Sequence, residues 1–117
     1  MQVFERVLNG VTVLDVSGRL TMNDNPGRLK AKVSSLVLKG ELQIVLNLHG
    51  LSYVDSAGLG ELVSCYTRTS KVGAMIRLAN TSPRVYEMLV LTRLVTIFDV
   101  YETEAAAVGS FGVLAVA

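Results

Sequence analysis

The residues best suited to chemistry lie in one short segment, Tyr53 to Gly60 (YVDSAGLG). Asp55 and Ser56 follow an apolar run and precede a helix-like pattern, so the serine hydroxyl is expected at a helix N-terminus. Unpaired backbone N–H groups and about half a positive charge gather at such an end, where a phosphoryl group is well accommodated. The same position also suits a serine that only caps the helix. Both interpretations stay open.

Two glycines follow the serine at short spacing. Gly58 is expected to leave the backbone uncovered beside the hydroxyl, and Gly60 costs a helix up to about 1 kcal/mol relative to alanine. Both are explained if another protein must approach Ser56 closely. The alternative explanation lies within the protein itself: Gly60 packs against a neighbouring strand. The residue three after the serine is Leu59 rather than Glu or Gln, so a full capping box is absent.

Catalytic and cofactor sites are not predicted. A serine hydrolase elbow needs Gly-x-Ser-x-Gly, and the residue two before Ser56 is valine. His49 is expected in a loop. Gly58-x-Gly60 lacks the third glycine of a dinucleotide site, and one histidine with one cysteine offers no metal ligand set. Three further reactive or aromatic residues are interpreted as packing residues: Tyr53, Cys65 and Tyr66.

Composition indicates a globular protein that binds neither nucleic acid nor membrane. Of 117 residues, 50% are hydrophobic and 18% charged, and the net charge is +1. Without a basic run, the chain has no electrostatic footprint for nucleic acid or an anionic membrane. No apolar stretch approaches the roughly 18 residues of a transmembrane helix. The single cysteine excludes a disulfide framework, so we expect one domain, residues 1–117, in the reducing cytoplasm.

Strand and helix patterns alternate along the chain and predict an α/β fold. Asn9-Gly10 is a hairpin signal between strands at Val3–Leu8 and Val11–Val16, and Gly18 with the polar stretch Thr21–Asn25 ends the second strand. Asn25-Pro26 predicts the start of a helix that ends at Gly40. The remaining predicted elements are a strand at Ile44–Leu48, a loop from Leu51, a helix from about Ala57 to Gly73, a strand at Ala74–Ala79, a helix capped by Ser82-Pro83, a strand at Leu94–Val100 and a helix at Glu102–Val108. We therefore expect a mixed, mostly parallel sheet of four to five strands with about four helices.

The block Ile44 to Gly60 (IVLNLHGLSYVDSAGLG) resembles the signature of the STAS domain family, and specifically of its anti-sigma factor antagonists. The resemblance extends over nearly the whole chain. It takes in Ser17–Leu20 at the end of the second strand and Asn80–Pro83 before the third helix. The long block is specific, whereas the two short segments alone carry little weight.

The resemblance assigns roles to individual residues. In the family, the serine that follows the aspartate is phosphorylated, and these two residues map onto Ser56 and Asp55. A second family acid, expected just after the second strand, falls on Thr21. Asp24 in the same loop is the candidate substitute, and without it regulation by phosphorylation loses support.

The resemblance implies a regulatory binding protein rather than an enzyme, and one that needs no cofactor. In the family, the unphosphorylated protein binds an anti-sigma factor that is also its serine kinase, which releases the sigma factor, and phosphorylation ends the binding. A PP2C-type phosphatase is the implied third partner. The expected partner surface around the serine consists of Thr21, Asn23, Asp24, Asp55, Ala57, Gly58, Leu59 and Gly60. The alternative within the same fold is a non-switching subunit of a lipid transporter or of a stress-signalling scaffold.

Overall fold

In the computed structural model, which describes residues 1–112, five strands form one sheet, and four α-helices and a 3-10 turn pack around it. The elements are β1 Gln2–Leu8, β2 Val11–Leu20, α1 Arg28–Leu38, β3 Gln43–Val54, α2 Ser56–Lys71, β4 Met75–Ala79, α3 Pro83–Leu91, the 3-10 turn Leu94–Thr96, β5 Asp99–Tyr101 and α4 Glu104–Gly112. The strands lie in sequential order, with β1 antiparallel to β2 and the other pairs parallel. The predicted mixed α/β sheet is confirmed. Residues 113–117 of the expected domain lie outside the described residues.

Two local turn signals are confirmed. Asn9 and Gly10 both have a positive φ, 51° and 78°, as a type I′ hairpin turn requires. Ser82 caps α3, and its hydroxyl accepts a hydrogen bond from the Val85 N–H at 3.2 Å. Both signals depend on side chains and backbone within a few residues, which is why short-range patterns identify them.

Strands β2 and β3 are longer than predicted. β2 does not end at Val16, and the predicted loop from Leu51 is strand, since the two strands pair as far as Leu20 and Val54. Two register shifts accommodate the irregular part of the ladder. Leu20, Leu51 and Val54 are all buried, so hydrophobic burial outweighs the turn-forming residues nearby. The extra length carries the end of both strands up to α2.

The helices divide between the two faces of the sheet. α1, α2 and α3 pack on one face over a large core that includes Leu14 and Leu46. α4 packs on the other face, over a smaller core that includes Val13 and Val45. Because successive strand residues point to opposite faces, these adjacent apolar pairs serve both cores. None of the helices among residues 1–112 is long and apolar enough to cross a lipid bilayer.

Another helix supplies the cap of α1, and for that reason its start differs from the prediction. Asn25 is not the N-cap: it has a positive φ of 52°, and the helix begins at Arg28 after Gly27, whose φ is 84°. The Glu61 carboxylate in α2 accepts hydrogen bonds from the Gly27 and Lys30 N–H groups, each at 3.0 Å. This tertiary cap holds the loop between β2 and α1 against α2.

The chain after α3 contains less strand than predicted. In place of a strand at Leu94–Val100, a 3-10 turn precedes β5, which has three residues. Arg93 takes a positive φ of 62°, and Phe98 is buried with its ring edge-on to Tyr66, 5.6 Å between centroids. The turn thus directs Phe98 into the core, at the expense of sheet pairing. α4 lies later in the chain than the predicted 102–108.

Candidate functional site

Helix α2 is capped by Asp55, the residue immediately before it. Asp55 Oδ1 accepts a hydrogen bond from the Gly58 N–H at 2.8 Å, and Oδ2 accepts one from the Met22 N–H at 3.1 Å. These backbone donors, Gly58 foremost, hold the pKa of the Asp55 carboxyl below its usual value. One carboxylate therefore joins the start of α2 to the loop after β2. The interpretation of Ser56 as the helix cap is wrong.

Ser56 is the first residue of α2 and lies on the surface. Within residues 1–112 its hydroxyl takes part in no hydrogen bond, because the cap of the helix is already supplied by Asp55. The positive end of the α2 dipole lies beside it. Such a hydroxyl is open to an enzyme that transfers a phosphoryl group, and the helix end is compatible with the phosphorylated product.

Gly58 is required by packing inside the molecule. A Cβ at this position would lie 2.0 Å from the carbonyl oxygen of Leu20. The expectation that Gly58 leaves the backbone uncovered is therefore wrong. The next residue, Leu59, is buried as well: its side chain is 6% exposed and belongs to the large core. Both residues are buried beneath the surface around Ser56, and their contact with a partner stays a prediction.

Gly60, two residues further along α2, borders open space. It is exposed, and no atom beyond its own helical turn lies within 4 Å of the position that a Cβ would take. The internal explanation, packing against a neighbouring strand, is therefore wrong. Ala57, one residue after the serine, is half-buried. The first turns of α2 thus present little side-chain bulk around Ser56.

The loop after β2 places a carboxylate next to Thr21. The Thr21 side chain is buried, its hydroxyl donates a hydrogen bond to the Asp24 carboxylate, and it accepts one from the Asn23 N–H at 3.2 Å. Asp24 also lies 3.6 Å from the Arg19 guanidinium. Asn23 is exposed. Through the bond between Met22 and Asp55, this loop and the start of α2 form one surface.

Three further residues belong to this surface and were not predicted as part of it. The Arg19 guanidinium lies over the ring of Tyr53, 5.5 Å from its centroid, because β2 and β3 pair these two residues. Tyr53 is 41% exposed and Met22 is 65% exposed, so the interpretation of Tyr53 as a packing residue is wrong. Neighbouring residues of a strand point to opposite faces, so Tyr53 is expected to be exposed because Val54 is buried. This expectation requires knowing that β3 continues past Leu51.

The other reactive residues do not share a cavity with Ser56. Cys65 is buried in the core, where loss of hydration raises the pKa of its thiol to about 12. His49 is exposed on β3, not in a loop as predicted, and lines a separate depression with Asp15 and Asn47. Cys65 packs as predicted.

Comparison with known sequences identifies the family. A sequence model described as "STAS domain" matches residues 5–107. A candidate anti-sigma factor antagonist of Bordetella bronchiseptica, BtrV, is 28% identical over 104 residues, which cover 89% of either protein. An anti-sigma F factor antagonist of Paenibacillus polymyxa is 25% identical over 99 residues, which cover 84% of either protein.

Solved structures share the fold. The crystal structure of a candidate anti-sigma factor antagonist from Thermotoga maritima superposes with a TM-score of 0.84 at 26% identity, covering 92% of both chains. SpoIIAA has been solved unphosphorylated and phosphorylated, with TM-scores of 0.70 and 0.71 at 21% and 22% identity over 94% of this chain and 97% and 99% of SpoIIAA. The chain therefore belongs to the STAS domain family, in which several of its relatives are named anti-sigma factor antagonists.

Proposed function

We propose that this protein is an anti-sigma factor antagonist controlled by phosphorylation of Ser56. The unphosphorylated form binds an anti-sigma factor that is also a serine kinase, through the surface around Ser56, and the sigma factor is released. The kinase then transfers a phosphoryl group from ATP to the Ser56 hydroxyl, and the complex dissociates. A PP2C-type phosphatase restores the binding form. The names of the relatives and the phosphorylated form of SpoIIAA support the proposal.

The observation that carries the proposal is the division of roles between two adjacent residues. Asp55 caps α2 and holds the loop after β2, so the fold does not depend on the hydroxyl of Ser56. That hydroxyl is exposed at a helix N-terminus. A phosphoryl group there gains from the helix dipole, typically about 0.3–1 kcal/mol for an anion at this position. The domain therefore stays folded in both states.

Phosphorylation of Ser56 changes the charge of the surface. Phosphoserine carries about −1.5 to −2 charges at pH 7, and these add to the carboxylates of Asp55 and Asp24. Moving a complex from almost fully bound to almost fully dissociated needs about 5.5 kcal/mol. An unpaired phosphate buried at an interface costs free energy on that scale, since breaking a buried ion pair costs about 3–5 kcal/mol.

The hydrogen bond between Thr21 and Asp24 supports the substitution of the missing family acid. The Asp24 carboxylate is fixed against the residue that occupies the family position. We therefore assign to Asp24 the place of the family acid near the phosphorylation site.

The test uses the purified chain with the ATP-binding serine kinases of its source organism. In calorimetric titration without ATP, the wild type and Ser56→Ala should bind one of these kinases with similar affinity. Ser56→Asp should bind at least about tenfold more weakly while its melting temperature changes little. Equal affinity of Ser56→Asp and wild type would contradict the switch. Absence of binding to every such kinase would instead favour the non-switching subunit role.

A further inference from the structure

An apolar cleft lies between helix α3 and the end of β3, whose last residue, Val54, is two positions before Ser56. The cleft is lined by Tyr53, Val54, Arg84, Val85 and Met88. Arg19 lies over the Tyr53 ring on the side of β2, and Arg84 is at the start of α3. Met22 adds a second exposed apolar side chain, and its N–H is bound to Asp55, directly before the serine.

The carboxylates of Asp55 and Asp24 keep their charge but do not line the cleft. The Asp55 oxygens accept hydrogen bonds from backbone N–H groups, and the Asp24 carboxylate accepts one from Thr21 and lies near Arg19. The Arg19 side chain nevertheless remains 59% exposed. Arg84 is exposed and forms no ion pair with any residue in 1–112. Arg84 is thus the charged residue that lines the cleft, and a second cation, Arg19, lies over the ring of Tyr53 at its edge.

We infer that this cleft receives an acidic segment of the anti-sigma factor. A carboxylate of that segment pairs with Arg19, and an apolar neighbour enters the cleft between Tyr53 and α3; the inference rests on the proposed function. A guanidinium already stacked on a ring loses little freedom when it binds a carboxylate. Arg, Tyr and Met are also the residue types enriched at the centres of protein interfaces.

The same arrangement explains how phosphate on Ser56 acts. The phosphoryl group brings an anion to a surface that binds a partner's carboxylate. It repels that carboxylate, and this repulsion weakens the complex.

The experiment measures the affinity of the chain for the kinase that binds it, at low and high salt and without ATP. Arg19→Gln should weaken binding about tenfold, and the affinity should then depend less on salt. Arg19→Glu should weaken it further, because two carboxylates then face each other. Lys71→Gln is the matched control, since Lys71 lies in the last turn of α2, about 22 Å from Ser56 along the helix, and should change affinity less than about twofold.

Arg19→Lys separates charge from stacking. It should keep the salt dependence and lose part of the affinity, and thermal unfolding of each variant shows whether the fold is retained. Unchanged or tighter binding by folded Arg19→Glu overturns the acidic segment and leaves the proposed function intact. A wild type that binds none of the kinases overturns both.

Discussion

Helices α2 and α3 both begin next to a serine, and the two serines have different tasks. Ser82 is the N-cap of α3, and its hydroxyl accepts a hydrogen bond from the backbone. In α2 the cap is Asp55, and Ser56 lies one position later. A shift of one residue therefore converts a structural serine into one whose hydroxyl is available for chemistry.

The third residue after each cap shows a second difference. In α3 this residue is Val85, which buries its side chain in the core. In α2 it is Gly58, because the carbonyl oxygen of Leu20 occupies the space of a side chain. Backbone contact and the Asp55 carboxylate thus fix the start of α2 without any help from Ser56. This difference between the starts of α2 and α3 predicts which substitutions alter the fold and which alter only function.

The largest expected effect is that of Gly58→Ala. The added Cβ would meet the Leu20 carbonyl oxygen at 2.0 Å, so α2 must move away from β2. We expect a loss of about 3 kcal/mol in the free energy of unfolding, measured by urea denaturation. A loss below about 1 kcal/mol would mean that the start of α2 shifts freely, and the contrast with α3 would then disappear.

Asp55→Asn should destabilise the protein in a manner that depends on pH. The pKa of Asp55 is lower in the folded protein than in the unfolded chain, where it is about 3.9. Above that pH the carboxylate makes its full contribution to the free energy of unfolding. That contribution is lost as the pH falls through the lower folded-state pKa. Urea unfolding from pH 7 downward should therefore show wild type more stable than Asp55→Asn at pH 7, with a gap that closes in acid.

The cap of α3 provides the control for this titration. A serine hydroxyl does not ionise in this range, so the loss caused by Ser82→Ala should be constant with pH. A gap between wild type and Asp55→Asn that stays equally constant would show that the Asp55 charge does not matter for the start of α2.

The two serines give a matched pair of substitutions. Ser82→Ala removes a cap and should cost about 1 kcal/mol, whereas Ser56→Ala removes a hydroxyl with no partner among residues 1–112 and should stay within about 0.5 kcal/mol of wild type. Thermal unfolding of both variants at pH 7 measures the difference. Equal losses would give Ser56 a structural role.

Gly60→Ala is expected to change stability in the opposite direction, as a modest gain. Nothing occupies the space around Gly60, so alanine should stabilise α2 by up to about 1 kcal/mol. If a partner approaches there, the same variant should bind the kinase more weakly, and Gly60→Leu more weakly still. Stability and affinity of both variants, compared with wild type, show whether Gly60 belongs to the interface; unchanged affinity of Gly60→Leu would remove it.

Local sequence signals predicted the parts of the fold that depend on local contacts. The Asn9-Gly10 turn and the Ser82 cap are examples. The start of α1 could not be predicted, because its cap is Glu61, more than 30 residues away in sequence. The prediction of a strand at Leu94–Val100 was wrong, because the chain turns there and Phe98 packs in the core beside Tyr66.

The site was predicted in part for the same reason. The sequence placed Ser56 at a helix start, but the cap could be assigned only from the hydrogen bonds of Asp55. The proximity of Asp24 to Thr21 was anticipated within one loop. The pairing of Arg19 with Tyr53 was not, because it depends on the register of two strands whose ends the sequence did not define.

The proposed switch is tested most directly by identifying the residue that the proposed partner kinase phosphorylates. The wild type, Ser56→Ala and Ser82→Ala are incubated with the kinase and ATP, and phosphopeptides are located by mass spectrometry. If Ser56 is the switch, one phosphate is expected on Ser56 in wild type and in Ser82→Ala, and none in Ser56→Ala. Phosphate on Ser17, Thr21 or Ser82, with none on Ser56, would contradict this assignment.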